Sequence, residues 1–173
     1  MPYTSCIALL EAATLLSRIR LIAIGALSVA SAATSPSLMA AGAEDACALL
    51  TPAQVSAAVS ASVGAGTYVM PTFKKTCTWT ASHAANGVRI VTVSFEGLQM
   101  YAAGKRAGAS GMASGTSVSG IGDDAFYLAT GNQVALHVKK GSAALKIAVY
   151  AEAPAEKVRA MEKALAQAVV AKL

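Results

Sequence analysis

Hydrophobic and polar residues alternate in several stretches between Lys74 and Tyr150, separated by clusters of turn-forming residues and by one stretch of helical period. In Lys74–Ala81, Cys77, Trp79 and Ala81 fall on one side and Thr76, Thr78 and Thr80 on the other, because successive strand residues point to opposite faces. Val88–Phe95 (VRIVTVSF) is rich in β-branched residues and can place Val91, Val93 and Phe95 on the Trp79 side. Ser82–Gly87, ending in Asn86-Gly87, supplies the turn, so the pair predicts a β-hairpin. Ala125–Thr130, Gln133–Lys139 and Ala143–Tyr150 read as further strands, separated by tight-turn signals at Gly131-Asn132 and Lys140-Gly141. Val134, Leu136 and Val138, then Leu145, Ile147 and Val149, form their core faces. Gln133, His137, Lys139, Lys146 and Tyr150 take the opposite face.

The period lengthens to that of a helix in three places. Thr51 is an N-cap followed by Pro52 at the first helical position and Gln54 three residues on, which is a capping box opening a helix over Pro52–Ser60. Leu98–Ala107 places Leu98, Tyr101 and Ala102 on one side. Pro154–Lys172 carries an apolar stripe of Val158, Met161, Leu165 and Val169, with Glu156, Arg159, Glu162 and Lys163 expected on the wet side. Between the second helix and the later strands, Gly108–Gly122 holds five glycines and four serines and is expected to be a flexible loop. It is read as a solvated connector, with a lid over a site as the rival role. The element order is α-β-β-α-β-β-β-α. It predicts one α+β domain, a five-stranded mostly antiparallel sheet with helices packed on one face.

Residues 1–43 follow a different logic. Leu21–Ala33 is an uncharged apolar run behind Arg18 and Arg20, and small residues follow it. Cationic start, apolar middle and A-x-A ending are the order of a secretory signal peptide, with cleavage expected after Ala32 or Ala43. A retained anchor is the rival reading. Serines, Thr34 and Pro36 interrupt the second half of the uncharged stretch, short of the ~20 mostly apolar residues a spanning helix uses. Met1–Ser17 is long for a cationic start and carries Glu11. One hypothesis, initiation near Leu15 or Leu16, would leave a compact leader. Residues 44–173 are then a single secreted domain, exported to the periplasm or the medium. Cys6 falls in the leader, and the remaining pair, Cys47 and Cys77, is expected to form a disulfide in an oxidising compartment.

Composition narrows the chemistry. The chain of 173 residues carries 40 alanines, only 13% charged residues and a net charge of +5. So small a basic excess, without a Lys/Arg run between aromatics, does not suit nucleic acid. Two histidines leave little material for a metal centre, and no metal or cofactor is expected. The mature region holds no GxxxxGK[ST], HExxH, GxSxG or SxxK. Gly120-Ile121-Gly122 precedes a strand instead of following one, the wrong order for a phosphate loop. With Asp123 and Asp124, Gly120 and Gly122 are read as a turn motif, the two carboxylates pointing to opposite faces. His83 is expected in solvent and Trp79 in the core beside the disulfide. His137 is read as an ordinary surface histidine, or as part of a cationic spot with Lys139, Lys146 and Tyr150 that would bind an anionic ligand.

Three short segments carry a resemblance. Asp45-Ala46-Cys47-Ala48-Leu49-Leu50-Thr51 is similar to the D-x-C-x-L-L-T opening of a family of small exported bacterial proteins and lipoproteins common in actinobacteria. Cys77-Thr78-Trp79 fits that family's C-x-W element. Val118–Ala125 fits its v-x-G-[IL]-G-D-x-A segment. The resemblance implies a secreted or envelope domain with a Cys47–Cys77 bridge, and a ligand-binding role of the kind attributed to related sensor-like ectodomains. It transfers no catalytic residue. The acidic Glu44-Asp45 before Cys47 departs from a lipid-attachment site, so lipid anchoring is not carried over, and membrane contact is expected only through an uncleaved leader. The resulting expectation is a non-enzymatic envelope module for a small molecule or another envelope protein. A small hydrolase with a spatially assembled site, joining Asp123 or Asp124 to His137 and a hydroxyl, and a purely structural envelope protein are the alternatives.

Overall fold

The computed structural model describes residues 44–83 and 87–173. The expected leader, with its cleavage positions and Cys6, lies outside the described residues, as does Asn86 of the first hairpin turn.

The chain opens with a short helix α1 (Ala46–Leu49) and α2 (Pro52–Val59). Asp45 caps α1, accepting from the backbone N–H of Cys47 at 3.1 Å and of Ala48 at 3.3 Å. At α2 the capping box is formed: Thr51 N–H donates to Gln54 Oε1 at 3.0 Å, and Gln54 N–H donates to Thr51 Oγ1 at 3.3 Å. Then follow β1 (Thr67–Met70), β2 (Phe73–Thr80), β3 (Val88–Glu96), α3 (Leu98–Ala109), β4 (Ser114–Val118), β5 (Asp124–Thr130), β6 (Gln133–Lys140), β7 (Ala143–Ala151) and α4 (Ala155–Val170). The strands form one antiparallel sheet of seven, in the order β1-β2-β3-β7-β6-β5-β4.

The α+β class and antiparallel sheet agree with the alternation, but the count of five strands and the element order do not. The two additional strands are the shortest of the seven. β1 is four residues long and pairs with β2 through a register shift. β4 (SGTSV) sits inside the glycine- and serine-rich segment expected to be a loop. Pairing with β5 makes it a strand, and its glycine answers to packing. A Cβ on Gly115 would stand 2.8 Å from the Cα of Gly108, so α3 and β4 approach at a distance only glycine permits.

One sheet face carries the main core. Cys77, Trp79, Val91, Val93, Ile147 and Leu136 lie in register across it and are buried. α1, α2 and α4 cover this face, and Val158, Met161, Leu165 and Val169 of α4 are buried as their spacing predicts. The Cys47–Cys77 disulfide ties α1 to β2. Gly66 lies against it: a Cβ there would be 2.7 Å from Cys77 Sγ and 2.8 Å from Trp79 Nε1.

Helices occupy both faces, not one. α3 packs on the opposite side, against β4, β5 and β7. There Tyr101 meets Phe126 edge-on at 5.1 Å, with Ala144 and Leu128 beside them. A second correction concerns Glu162, expected in solvent and found fully buried. The β6–β7 pairing ends at Leu136–Ile147, so Val149 has no strand partner on that side. Its N–H donates instead to Glu162 Oε1 at 3.1 Å. Glu162 thus stands in for the carbonyl that a continued β6 would supply.

Candidate binding site on the open sheet face

α3 leaves the rest of its sheet face uncovered. Thr80, Ile90 and Tyr150 are exposed there. Where β6 and β7 part, the face sinks into a hollow of about 330 Å³ whose floor and walls include Leu128, Ala135 and Ala148. Its polar groups come from His137, Lys146, Tyr150 and Gln133. A second hollow of about 350 Å³, sharing Gln133, Val134 and Ala148, opens beside the same parting and reaches Val158 of α4.

The residues expected to bind are placed as follows. His137 and Lys146 are direct cross-strand partners. Tyr150 lies four residues beyond Lys146 on the same strand, so it shares that face. These three line one hollow. Lys139 does not join them; it pairs with Ala144 and Asp124 and faces a separate hollow under α3. Leu128, Ala135 and Ala148 were not singled out from sequence, and Gln133 was read onto this face without a binding role. Their alternation with core residues gives the face of each, but which strands stand side by side is a tertiary fact.

His137 is not a surface histidine. It is 7% exposed, stacked on Phe126 at 5.0 Å with ring planes 4° apart, and its Nδ1 meets Glu96 Oε1 at 2.9 Å. The cause is β5, which sets Phe126 directly opposite His137, and Glu96 at the end of β3, which meets its ring nitrogen. Among the described residues no serine, threonine or tyrosine hydroxyl hydrogen-bonds His137. Lys146 is exposed and has no carboxylate partner among the described residues.

The aspartates do other work. Asp123 accepts from Gly141 N–H at 2.6 Å and from Lys140 at 3.3 Å, while its own N–H donates to the Lys139 carbonyl at 2.8 Å. The Gly141 bond, with Lys140 beside it, holds its carboxyl below the usual range. Gly122 has φ +59°, and a Cβ there would lie 2.4 Å from the Lys139 carbonyl oxygen. The Gly120–Asp124 motif therefore latches one turn to the β6–β7 hairpin. Asp124 is ion-paired with Lys105, which lowers its pKa. The hollow holding His137 includes neither aspartate, and the one holding Asp124 does not include His137. His83 is exposed. No group of three His, Cys, Asp or Glu among the described residues is placed to hold a metal ion. No helix among them is long and apolar enough to cross a membrane.

The arrangement offers a cation, a phenol and an amide above a small apolar floor. That combination suits a ligand with an acceptor or anionic group on a compact body. Comparison with protein-family models, with curated proteins and with solved structures yields no match in any of the three.

Proposed function

We propose that this chain is an exported, non-enzymatic binding module of the cell envelope or its surroundings, and that its ligand is a small molecule. The observation that carries the reading is the parting of β6 and β7, which opens a hollow of about 330 Å³ lined by His137, Lys146 and Tyr150. Ligand sites are commonly clefts of roughly 300–1,000 Å³ with a few polar groups over apolar walls. Export is supported by the leader pattern in residues 1–43 and by the Cys47–Cys77 bridge, which suits an oxidising compartment. A binding role without chemistry is supported by the commitment of Glu96, Asp123 and Asp124 to partners of their own. The resemblance to small exported bacterial domains points the same way.

Native mass spectrometry of protein purified from the envelope and medium of its own host tests this. The expected spectrum shows the leader removed and an added small mass at fixed stoichiometry, lost in Lys146→Glu. A bare protein in both fractions would overturn the small-molecule reading in favour of a structural role. A retained mass indifferent to Lys146→Glu would move the site elsewhere.

A further inference from the structure

We propose a second site, in the hollow between α3 and the β5–β6 strands, that binds a small carboxylate with a short apolar body. The hollow has a volume of about 390 Å³ and shares no lining residue with the His137 hollow, so the two proposals stand or fall separately. Its charged groups are Lys105, Arg106, Lys139 and Asp124. Asp124 is already neutralised by Lys105. Arg106 and Lys139 have no carboxylate partner among the described residues, so the hollow keeps two positive charges in excess.

The second observation is Tyr101. It is 4% exposed and lines the hollow, and its hydroxyl makes no hydrogen bond of ordinary geometry; the acceptor near it is the Asp124 carboxylate, which Lys105 already holds. A buried hydroxyl without a well-formed bond is costly, and a ligand acceptor would complete it. Burial, with Asp124 nearby, pushes the phenol's pKa up, so the hydroxyl remains a donor. The remaining wall is apolar: Leu98 is 44% exposed at the rim, beside Ala102. A guanidinium fork matches the two oxygens of a carboxylate, the phenol can give one further bond, and Leu98 and Ala102 meet a short hydrocarbon. Phosphate would leave that apolar wall unused.

The test is an amide NMR titration of the ¹⁵N-labelled full chain with butyrate, acetate, inorganic phosphate and 1-butanol. Butyrate is expected to give saturable shifts at Leu98, Tyr101, Lys105, Arg106 and Lys139, with acetate weaker and butanol without effect. Arg106→Met and Lys139→Met should each weaken butyrate by about tenfold, the scale of one charge-assisted bond. Tyr101→Phe should weaken it less, with the rest of the spectrum unchanged. Absence of saturable shifts, equal binding of butanol, or unaltered affinity in both cation variants would each overturn the site. Phosphate binding tighter than butyrate would overturn the assignment to a carboxylate.

Discussion

Replacing Glu162 by glutamine isolates one buried charge. Glu162 is 0% exposed; one oxygen accepts the Val149 N–H at 3.1 Å and the other has no partner. Burial lifts its pKa from the usual 4.5 to about 8, against the opposing pull of the Val149 bond and of Arg159. Tyr127, from β5, is the other titratable group coupled to it. The direction of the pH effect follows. Below 4.5 the carboxyl is protonated in both states, and folding loses nothing. As the pH rises, the unfolded chain releases the proton while the folded protein keeps it, so stability falls until about 8. Between pH 5 and pH 8 that loss is on the order of 3 kcal/mol. Glu162→Gln keeps an acceptor for Val149 N–H and cannot ionise. Urea unfolding of both proteins at pH 5 and pH 8 should show wild type losing that amount relative to the variant. Every other ionisable group is common to the two proteins and cancels in the comparison. Equal pH dependence in the two proteins would refute the buried, proton-retaining carboxyl.

Three further outcomes are expected. Cys47→Ser/Cys77→Ser opens a cross-link spanning 30 residues and should cost roughly 3 kcal/mol in the chain-entropy account; a guanidinium midpoint unchanged from wild type would contradict it. Gly66→Ala would press a methyl to 2.7 Å from Cys77 Sγ and should cost about 1–3 kcal/mol as overpacking, with a shift in Trp79 fluorescence; a variant as stable as wild type would show the site has room. Asp45→Ala removes the α1 cap and should cost about 1 kcal/mol. The Tyr68 hydroxyl bond holds the Asp45 carboxyl below 3.8, so its contribution is present above that pH and lost as the pH falls through the lowered value. Tyr68→Phe should therefore flatten the acid side of the stability profile, and an unchanged acid limb would count against the bond.

Much of the fold was legible because it rests on short-range rules. Alternation in Cys77–Ala81 and Val88–Phe95 put Val91 and Val93 on the face of Trp79, and only the fold pairs Trp79 with Val91. The α4 stripe was readable from its spacing, and the cap of α2 from Thr51 and Gln54 alone. The candidate site was legible only in part. His137, Lys146 and Tyr150 were read onto one face, but their hollow depends on where β6 and β7 separate, and no residue signals that point. Lys139 shares their face yet lies under α3, in other company. Tyr101 was read as one side of an ordinary helix. Its hydroxyl, short of a well-formed bond, is buried only once Phe126 and Ala144 enclose the ring.

By itself the sequence determined the class of fold, the two faces of the five strands it predicted, the starts of α2 and α3, and the cysteines available to bridge. Each depends on residues a few positions apart, where backbone geometry alone decides what is neighbour to what. Only the tertiary structure decided that Ser114–Val118 is a strand, that α3 crosses to the far face, and that His137 and Glu162 are buried. The physical reason is the same in each case. A weak strand forms when a partner offers its backbone, and a polar side chain is buried when a distant group takes its hydrogen bond. Glu96 does this for His137, and the freed N–H of Val149 does it for Glu162.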